Sequence, residues 1–317
     1  KKLLLVTGLT ALACTTAFAE ENASTSKWTG QIVPRIEIED TNNYGGDEAH
    51  PMWIKRLNGT LKHKDYSNWT FTYELKESEK DTVHFFDNVN GTTTYRVYPG
   101  IEYSRKVTDK LTLGLGLKDK WELDKDANGK SIRKINSYRL VPNFSYQITD
   151  KLDFHGKAYF IKNIHYDRAS TSQSLKNSDG YEVQTGFTYR FAPGCYFLAD
   201  YWEEGSDLEH DYTGADKKRS QQIRPILSLK VSEKNTLELY GRIQILDGEV
   251  TKDEGNGSGK LETKRNRYGF DFIHRINEQF TLNAGFAIEP NKKVIDYDGS
   301  VKKSDWYYYT ARIAYKF

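Results

Sequence analysis

From Trp28 to Phe317 the chain repeats one pattern, apolar residues at every second position in segments of about ten or more residues, divided by polar breaks. Trp28, Gly30, Ile32, Pro34, Ile36 and Ile38 share one parity. Leu111, Leu113, Leu115 and Leu117 share another, and so do Phe280, Leu282, Ala284, Phe286 and Ile288. Successive side chains on a strand point to opposite faces, so a chain built of such segments must fold as sheet with one apolar and one polar face. After the first residues no run approaches the roughly 20 apolar residues that a membrane helix requires. A chain of this kind can enter a bilayer only as a closed barrel, because an open sheet leaves edge N–H and C=O groups unsatisfied in lipid.

The breaks alternate in length. Short turns are expected at 65–68, 108–110, 149–151, 192–194, 232–235 and 277–279, and long polar loops at 40–51, 124–132, 167–178, 205–219, 247–262 and 291–304. Short turns on one side and long loops on the other is the layout of outer-membrane barrels. With a less regular strand around Trp53 to His63, the count is about fourteen strands, an even number. The fold class is therefore all-β, a transmembrane antiparallel up-and-down β-barrel with short periplasmic turns and long extracellular loops.

Composition alone would mislead, since hydrophobic residues make up 37%, charged residues 28%, and mean hydropathy is −0.74. The aromatic share of 14%, with 22 Tyr and 15 Phe, argues against disorder. Residues 1–19 read as a secretory signal peptide: Lys1 and Lys2, an apolar run from Leu3 to Ala13, and Ala17-Phe18-Ala19 before Glu20. The barrel domain then covers 20–317. Loss of Lys1 and Lys2 leaves 44 basic against 44 acidic residues, so no nucleic-acid partner is expected. Cys14 would depart with the signal and leave Cys195 alone, without a disulfide or a cysteine metal cluster.

Strands that run down to short turns end alike, with Tyr103, Tyr146, Tyr189, Tyr315 and the terminal Phe317 at one height. An interfacial aromatic belt belongs there. Trp121, Trp202 and Trp306, near the loop ends, are candidates for the opposite belt. The terminal Ile313-x-Tyr315-x-Phe317 pattern resembles the signal read by barrel-assembly machinery, an expected partner alongside outer-membrane lipid and lipopolysaccharide.

The polar parity carries Arg35, Glu37, Glu74, Arg96, Glu102, Glu122, Arg139, Glu182, Arg190, Arg224, Glu238, Arg242, Arg265, Arg267, Asp271 and Arg312. Each such Arg or Lys would cost about 2–4 kcal/mol at the lipid midplane, so this parity is expected to line the interior. In a narrow barrel these groups would cross and plug the lumen. In a wide one they would line water. About eight strands fill with side chains and about sixteen leave a channel, so fourteen favours the channel.

Two rivals come from different classes. A rim hydrolase would use Asp207, Glu209, His210 and Asp211, although a solvated charged loop explains them as well. A loop-presenting adhesin would have a sealed lumen. Asp253-Glu254-Gly255-Asn256-Gly257 fails the spacing of a calcium loop, and neither metal nor cofactor is expected.

Over nearly all of the region after the leader, the sequence resembles the monomeric fourteen-stranded outer membrane protein G porins. The matching stretches are 138–160, 182–191, 199–204 and 268–272. The resemblance implies a non-enzymatic monomer in the outer membrane, a weakly selective water-filled pore for ions, sugars and small oligosaccharides. In that family facing histidines on neighbouring strands work a pH-dependent loop. Here the corresponding strands carry Lys264, Arg265 and Tyr308, so that gate is not carried over.

Overall fold

A computed structural model gives the architecture and describes residues 26–42, 51–80, 93–126, 128–167, 176–207, 217–252, 259–295 and 300–317. The strands are β1 (Trp28–Asn42), β2 (Met52–His63), β3 (Trp69–Lys80), β4 (Thr93–Val97), β5 (Gly100–Lys106), β6 (Leu111–Lys125), β7 (Ser131–Gln147) and β8 (Leu152–Asp167). They continue with β9 (Lys176–Ala192), β10 (Cys195–Asp207), β11 (Lys217–Lys230), β12 (Asn235–Lys252), β13 (Gly259–Lys264), β14 (Arg267–Arg275), β15 (Phe280–Ile295) and β16 (Val301–Lys316).

All pairings are antiparallel, and β1 pairs with β16 to close the sheet. β4 and β5 both lie between β3 and β6 and form one stave, as β13 and β14 do between β12 and β15, which gives a barrel of 14 staves. The first interruption falls at Tyr98 and Pro99, where proline has no N–H to give to the ladder. The register does not shift there, because Tyr98 and Glu74 still exchange backbone bonds of 2.8 and 3.0 Å. Seam closure reaches the terminal residue: Gly30 N donates to Phe317 O at 3.0 Å and Phe317 N to Gly30 O at 3.2 Å.

Four of the short turns repeat one device. A Thr, Ser or Asn side chain caps the tight connection by accepting N–H bonds from the residues two and three positions on. Thr108 takes Lys110 and Leu111, Thr149 takes Lys151 and Leu152, Ser232 takes Lys234 and Asn235, and Asn277 takes Gln279 and Phe280. These side chains replace backbone partners at a chain reversal, the usual role of such residues.

The loop side departs from expectation. Strands of up to 18 residues run well past the roughly 9–11 that cross a bilayer, so β1, β6–β13, β15 and β16 extend into segments expected as loops. Ladder bonds propagate whatever the side chains are, and a hairpin arm beyond the membrane meets water on both faces. The connection expected at 124–132 is instead a tight turn in which Asp126 Oδ1 accepts from Asn128 N and Lys130 N, at 3.0 and 2.8 Å. The irregular strand expected near Trp53 is a regular one, paired with β1 from Trp28–His63 to Glu39–Met52.

Leu113, Leu115 and Leu117 are 46%, 48% and 57% exposed, the face that lipid would cover. At the turn end of this outer face Tyr146, Tyr189 and Phe317 are exposed. Tyr103 lies 4.9 Å from the Trp69 ring and Tyr315 4.8 Å from Phe280. Trp121 also faces outward. Trp202 and Trp306 do not, which corrects their place in an outer belt. Trp202 is 6% exposed and pairs with the inward Gln184, and Trp306 stacks on the buried Tyr308. Their parity, one step from Tyr201 and Tyr307, turns them into the barrel.

Candidate functional site

The inner face is the candidate site, and its two halves differ. From β1 to β4 the register sets Arg35, Arg56, Lys76 and Arg96 opposite one another, and carboxylates reach the three arginines from diagonal positions. Glu37 forms ion pairs with Arg35 at 2.5 Å and Arg56 at 3.1 Å. Glu74 lies 3.4 Å from both Arg56 and Arg96. Arg96 continues to Glu122 at 2.7 Å, and Arg133 joins Glu122 to Asp124 at 3.2 and 2.6 Å. In this ladder Glu37, Glu74 and Glu122 thus each sit between cations, and Asp124 holds Arg133. Two rungs toward the turns, past Lys120, Lys118 meets Glu102 at 2.7 Å. Arg139 lies over the Tyr98 ring at 5.3 Å and donates from Nε to Ser137.

The half from β11 to β15 has fewer such contacts: Arg224 stands opposite Asp200 in register, and among the described residues Arg242 has no carboxylate partner. Ile223 pairs with Ile243, which sets Arg224 beside Arg242, and Arg242 pairs directly with Arg267. Arg224 lies 3.8 Å from the Trp202 ring centroid and donates to Gln222 Oε1. Arg267 lies 3.5 Å from the Tyr308 ring centroid and meets Glu289 at 2.8 Å, and Tyr308 donates its hydroxyl to the same carboxylate. Arg265 stands in the break between β13 and β14. Below, toward the turns, Glu238 pairs with Asp271.

Between the halves, β8 to β10 contribute a compact cluster. His155 Nε2 lies 2.8 Å from Asp200 Oδ1, and Gln184 donates to the other carboxylate oxygen. Glu182 accepts from Trp202 Nε1 at 2.9 Å, Glu238 accepts from Tyr196 at 2.9 Å, and Arg190 pairs with Asp153 near the turns. A cavity of about 270 Å³ joins opposite parts of the wall, lined by Arg35, Glu37, Gln184, Asp200, Arg224, Glu238, Arg242, Arg267, Asp271 and Arg312 among others.

All the residues singled out from the polar parity thus stand on the inner wall, save that Arg265 occupies a strand break. Reading the sequence missed Arg56, Arg133, Asp200 and Glu289, which complete the ladder and the clusters. The first lay in a strand whose alternation is blurred. The others were on the polar parity already, and only the register shows what they touch. Of the proposed rim hydrolase, Asp207 ends β10, while Glu209, His210 and Asp211 lie outside the described residues, as do 1–25, including the expected signal and Cys14, and 253–258.

Fold and wall together define a transmembrane β-barrel of the outer-membrane type with an apolar outer face and a charged inner one. Among solved structures it is similar to the toluene transporter TodX of Pseudomonas putida, with TM-score 0.55 at 11% identity over 92% of this chain and 90% of that one. It is also similar to a FadL homologue of Pseudomonas aeruginosa, with TM-score 0.53 at 10% identity over 92% and 90%. The toluene transporter TbuX of Ralstonia pickettii follows, with TM-score 0.50 at 10% identity over 95% and 93%. No protein-family model and no curated protein matches the sequence. At such identities the likeness is one of fold.

Proposed function

We propose that the protein is an outer-membrane channel through which small hydrophilic solutes, namely ions, sugars and short oligosaccharides, diffuse passively. The carrying observation is the inner wall, charged from end to end, where Arg242 is solvent-exposed although it points into the barrel. Water reaching such a group keeps it ionised without a partner, as a pore wall requires. The resemblance to the outer membrane protein G porins supports the same reading.

The toluene transporters of similar fold suggest a hydrocarbon as an alternative cargo. An aromatic hydrocarbon forms no hydrogen bonds and would strip water from guanidinium and carboxylate groups, at several kcal/mol per ion. The lining here therefore suits polar solutes. Solutes, assembly machinery engaging Phe317, and surrounding lipid and lipopolysaccharide are then the partners, and the channel works as a monomer without a cofactor.

Reconstitution into a planar bilayer is expected to give discrete conductance steps, and proteoliposomes are expected to swell in arabinose. Folded protein that neither conducts nor passes arabinose would overturn the proposal.

A further inference from the structure

The contrast between the two halves of the wall carries an inference of its own. Like charges set directly opposite each other on neighbouring strands repel. In the row Arg35, Arg56, Lys76 and Arg96 each arginine is answered by Glu37, Glu74 or Glu122. On the other half Arg224, Arg242 and Arg267 stand in one row across β11, β12 and β14. Arg265 lies within electrostatic reach of Arg224 and Arg242, and Lys292 of β15 within reach of Arg265 and Arg267. Glu289 answers Arg267. Among the described residues Arg242 makes no hydrogen bond or ion pair, and Arg224 makes no ion pair: it donates to Gln222 and lies on the Trp202 face, with Glu182 and Glu204 within electrostatic reach.

The backbone is adapted at the same height. The stave breaks at Arg265 and Asn266, and β15 shifts register between Glu289 and Lys292 against β16. Bulges re-aim side chains and are frequent at functional sites. This break is closed by one side chain rather than frayed. Gln244 Nε2 donates to Thr263 O at 2.8 Å, its Oε1 accepts from Arg265 N at 2.6 Å, and its own N–H donates to Asn266 Oδ1 at 2.9 Å.

We propose that Arg224, Arg242, Arg265, Arg267 and Lys292 form a binding site inside the lumen for a multivalent oxyanion, a di- or tricarboxylate or a phosphate-bearing solute. Guanidinium groups offer paired N–H donors that match carboxylate and phosphate oxygens, and the exposed Arg242 supplies an unoccupied pair facing the cavity. Of the carboxylates nearby, Glu182 accepts from Trp202, Asp200 is held by His155 and Gln184, and Glu289 by Arg267 and Tyr308, while Glu204 lies within electrostatic reach of Arg224 and Glu39 of Lys292. Two layers nearer the turns, past Tyr240 and Gly269, the sign reverses at Glu238 and Asp271, which fixes where an anion held by the row must stop. The site deepens the reading of the barrel as a channel and rests on it.

Citrate and pyrophosphate, added separately to wild-type channels in a neutral-lipid bilayer, are the probes. At least one is expected to block current in a concentration-dependent way, and the more potent one names the ligand as carboxylate or phosphate. R224Q/R242Q is expected to raise the blocking constant about tenfold or more, as loss of charge-assisted hydrogen bonds implies. R139Q removes the same charge from the opposite wall and is expected to leave the constant within about twofold, since distant sites act independently. Conducting channels that neither anion blocks would overturn the site, as would R139Q weakening block as much as the double variant. Calorimetric titration of folded, detergent-solubilised protein separates the two readings. Binding lost in R224Q/R242Q upholds the site even in a barrel that never conducts, and wild-type protein that binds neither anion removes it. Heat-modifiable migration on gels checks that each variant is folded.

Discussion

Arg96 holds two carboxylates at once, Glu122 at 2.7 Å on one neighbouring strand and Glu74 at 3.4 Å on the other, with all three side chains under a quarter exposed. Its removal leaves two acids facing each other without the cation between them. Arg96→Ala is therefore expected to lower stability by about 1–3 kcal/mol, less than a dry buried pair because water in the proposed channel would screen the remaining charges. Arg190 makes the contrast. Its partner is the single Asp153, and its side chain is 50% exposed near the turns. Arg190→Ala is expected to cost less than about 1 kcal/mol. Urea unfolding in micelles, followed by tryptophan fluorescence, reads both, and equal losses would mean that the ladder does not act as a unit. At this scale the parity of each residue was legible in the sequence, even for Trp202 and Trp306, whose parity contradicts the belt suggested by their position along the strand. What a residue touches was not legible, because Glu74 meets Arg96 only once two strands are set in register.

The seam between β1 and β16 depends on a residue without a side chain. A Cβ on Gly30 would lie 2.4 Å from Thr60 O and 2.8 Å from the Phe317 ring, both closer than real contacts allow. Gly30→Val must therefore displace either the β2 backbone or the terminal ring that completes closure. It is expected to reduce the fraction that migrates as the compact, heat-modifiable form and to lower the temperature at which that form is lost. Wild-type behaviour in both would show that the seam tolerates the shift. Most elements were readable from alternation and turn chemistry, since Thr-Asp-Lys or a close relative between two period-two runs supplies both the reversal and its caps. β2 was the weak case for a physical reason. Its outward parity contains Lys55 and Gly59, which blur the pattern. Lys55 is offset by Glu77 and Glu79 of β3, at 3.4 and 3.3 Å, on the same face. A charge paired across strands is invisible to a reading of one strand at a time. Strand ends were unreadable for a related reason, because beyond the membrane no apolar face marks where pairing stops.

For the whole molecule the consequence lies in how charge is distributed around the barrel. The formal totals nearly balance, with 46 basic and 44 acidic residues, and from totals alone a pore would prefer neither sign. The geometry separates them: Arg35, Arg56, Arg96 and Arg133 of the ladder are each answered by a carboxylate, while on β11 to β15 Arg242 has no such partner among the described residues and faces the cavity. The mean charge thus predicts little, and the uncompensated patch predicts a preference for anions. Such a preference acts through the field in lumen water and must weaken with salt, since the screening length falls from about 10 Å at 0.1 M to about 3 Å at 1 M. Reversal potentials under a fixed KCl ratio are therefore expected to indicate anion preference when the mean salt is about 0.1 M and to approach neutrality near 1 M. Conductance at 1 M is expected to remain high, because the pathway itself does not depend on the field. A preference that persists unchanged at about 1 M would instead place selectivity in a steric constriction narrower than the screening length, where guanidinium groups touch the permeating ion directly. A cation preference at low salt would mean that the carboxylates of the ladder, and not the arginine row, govern the path.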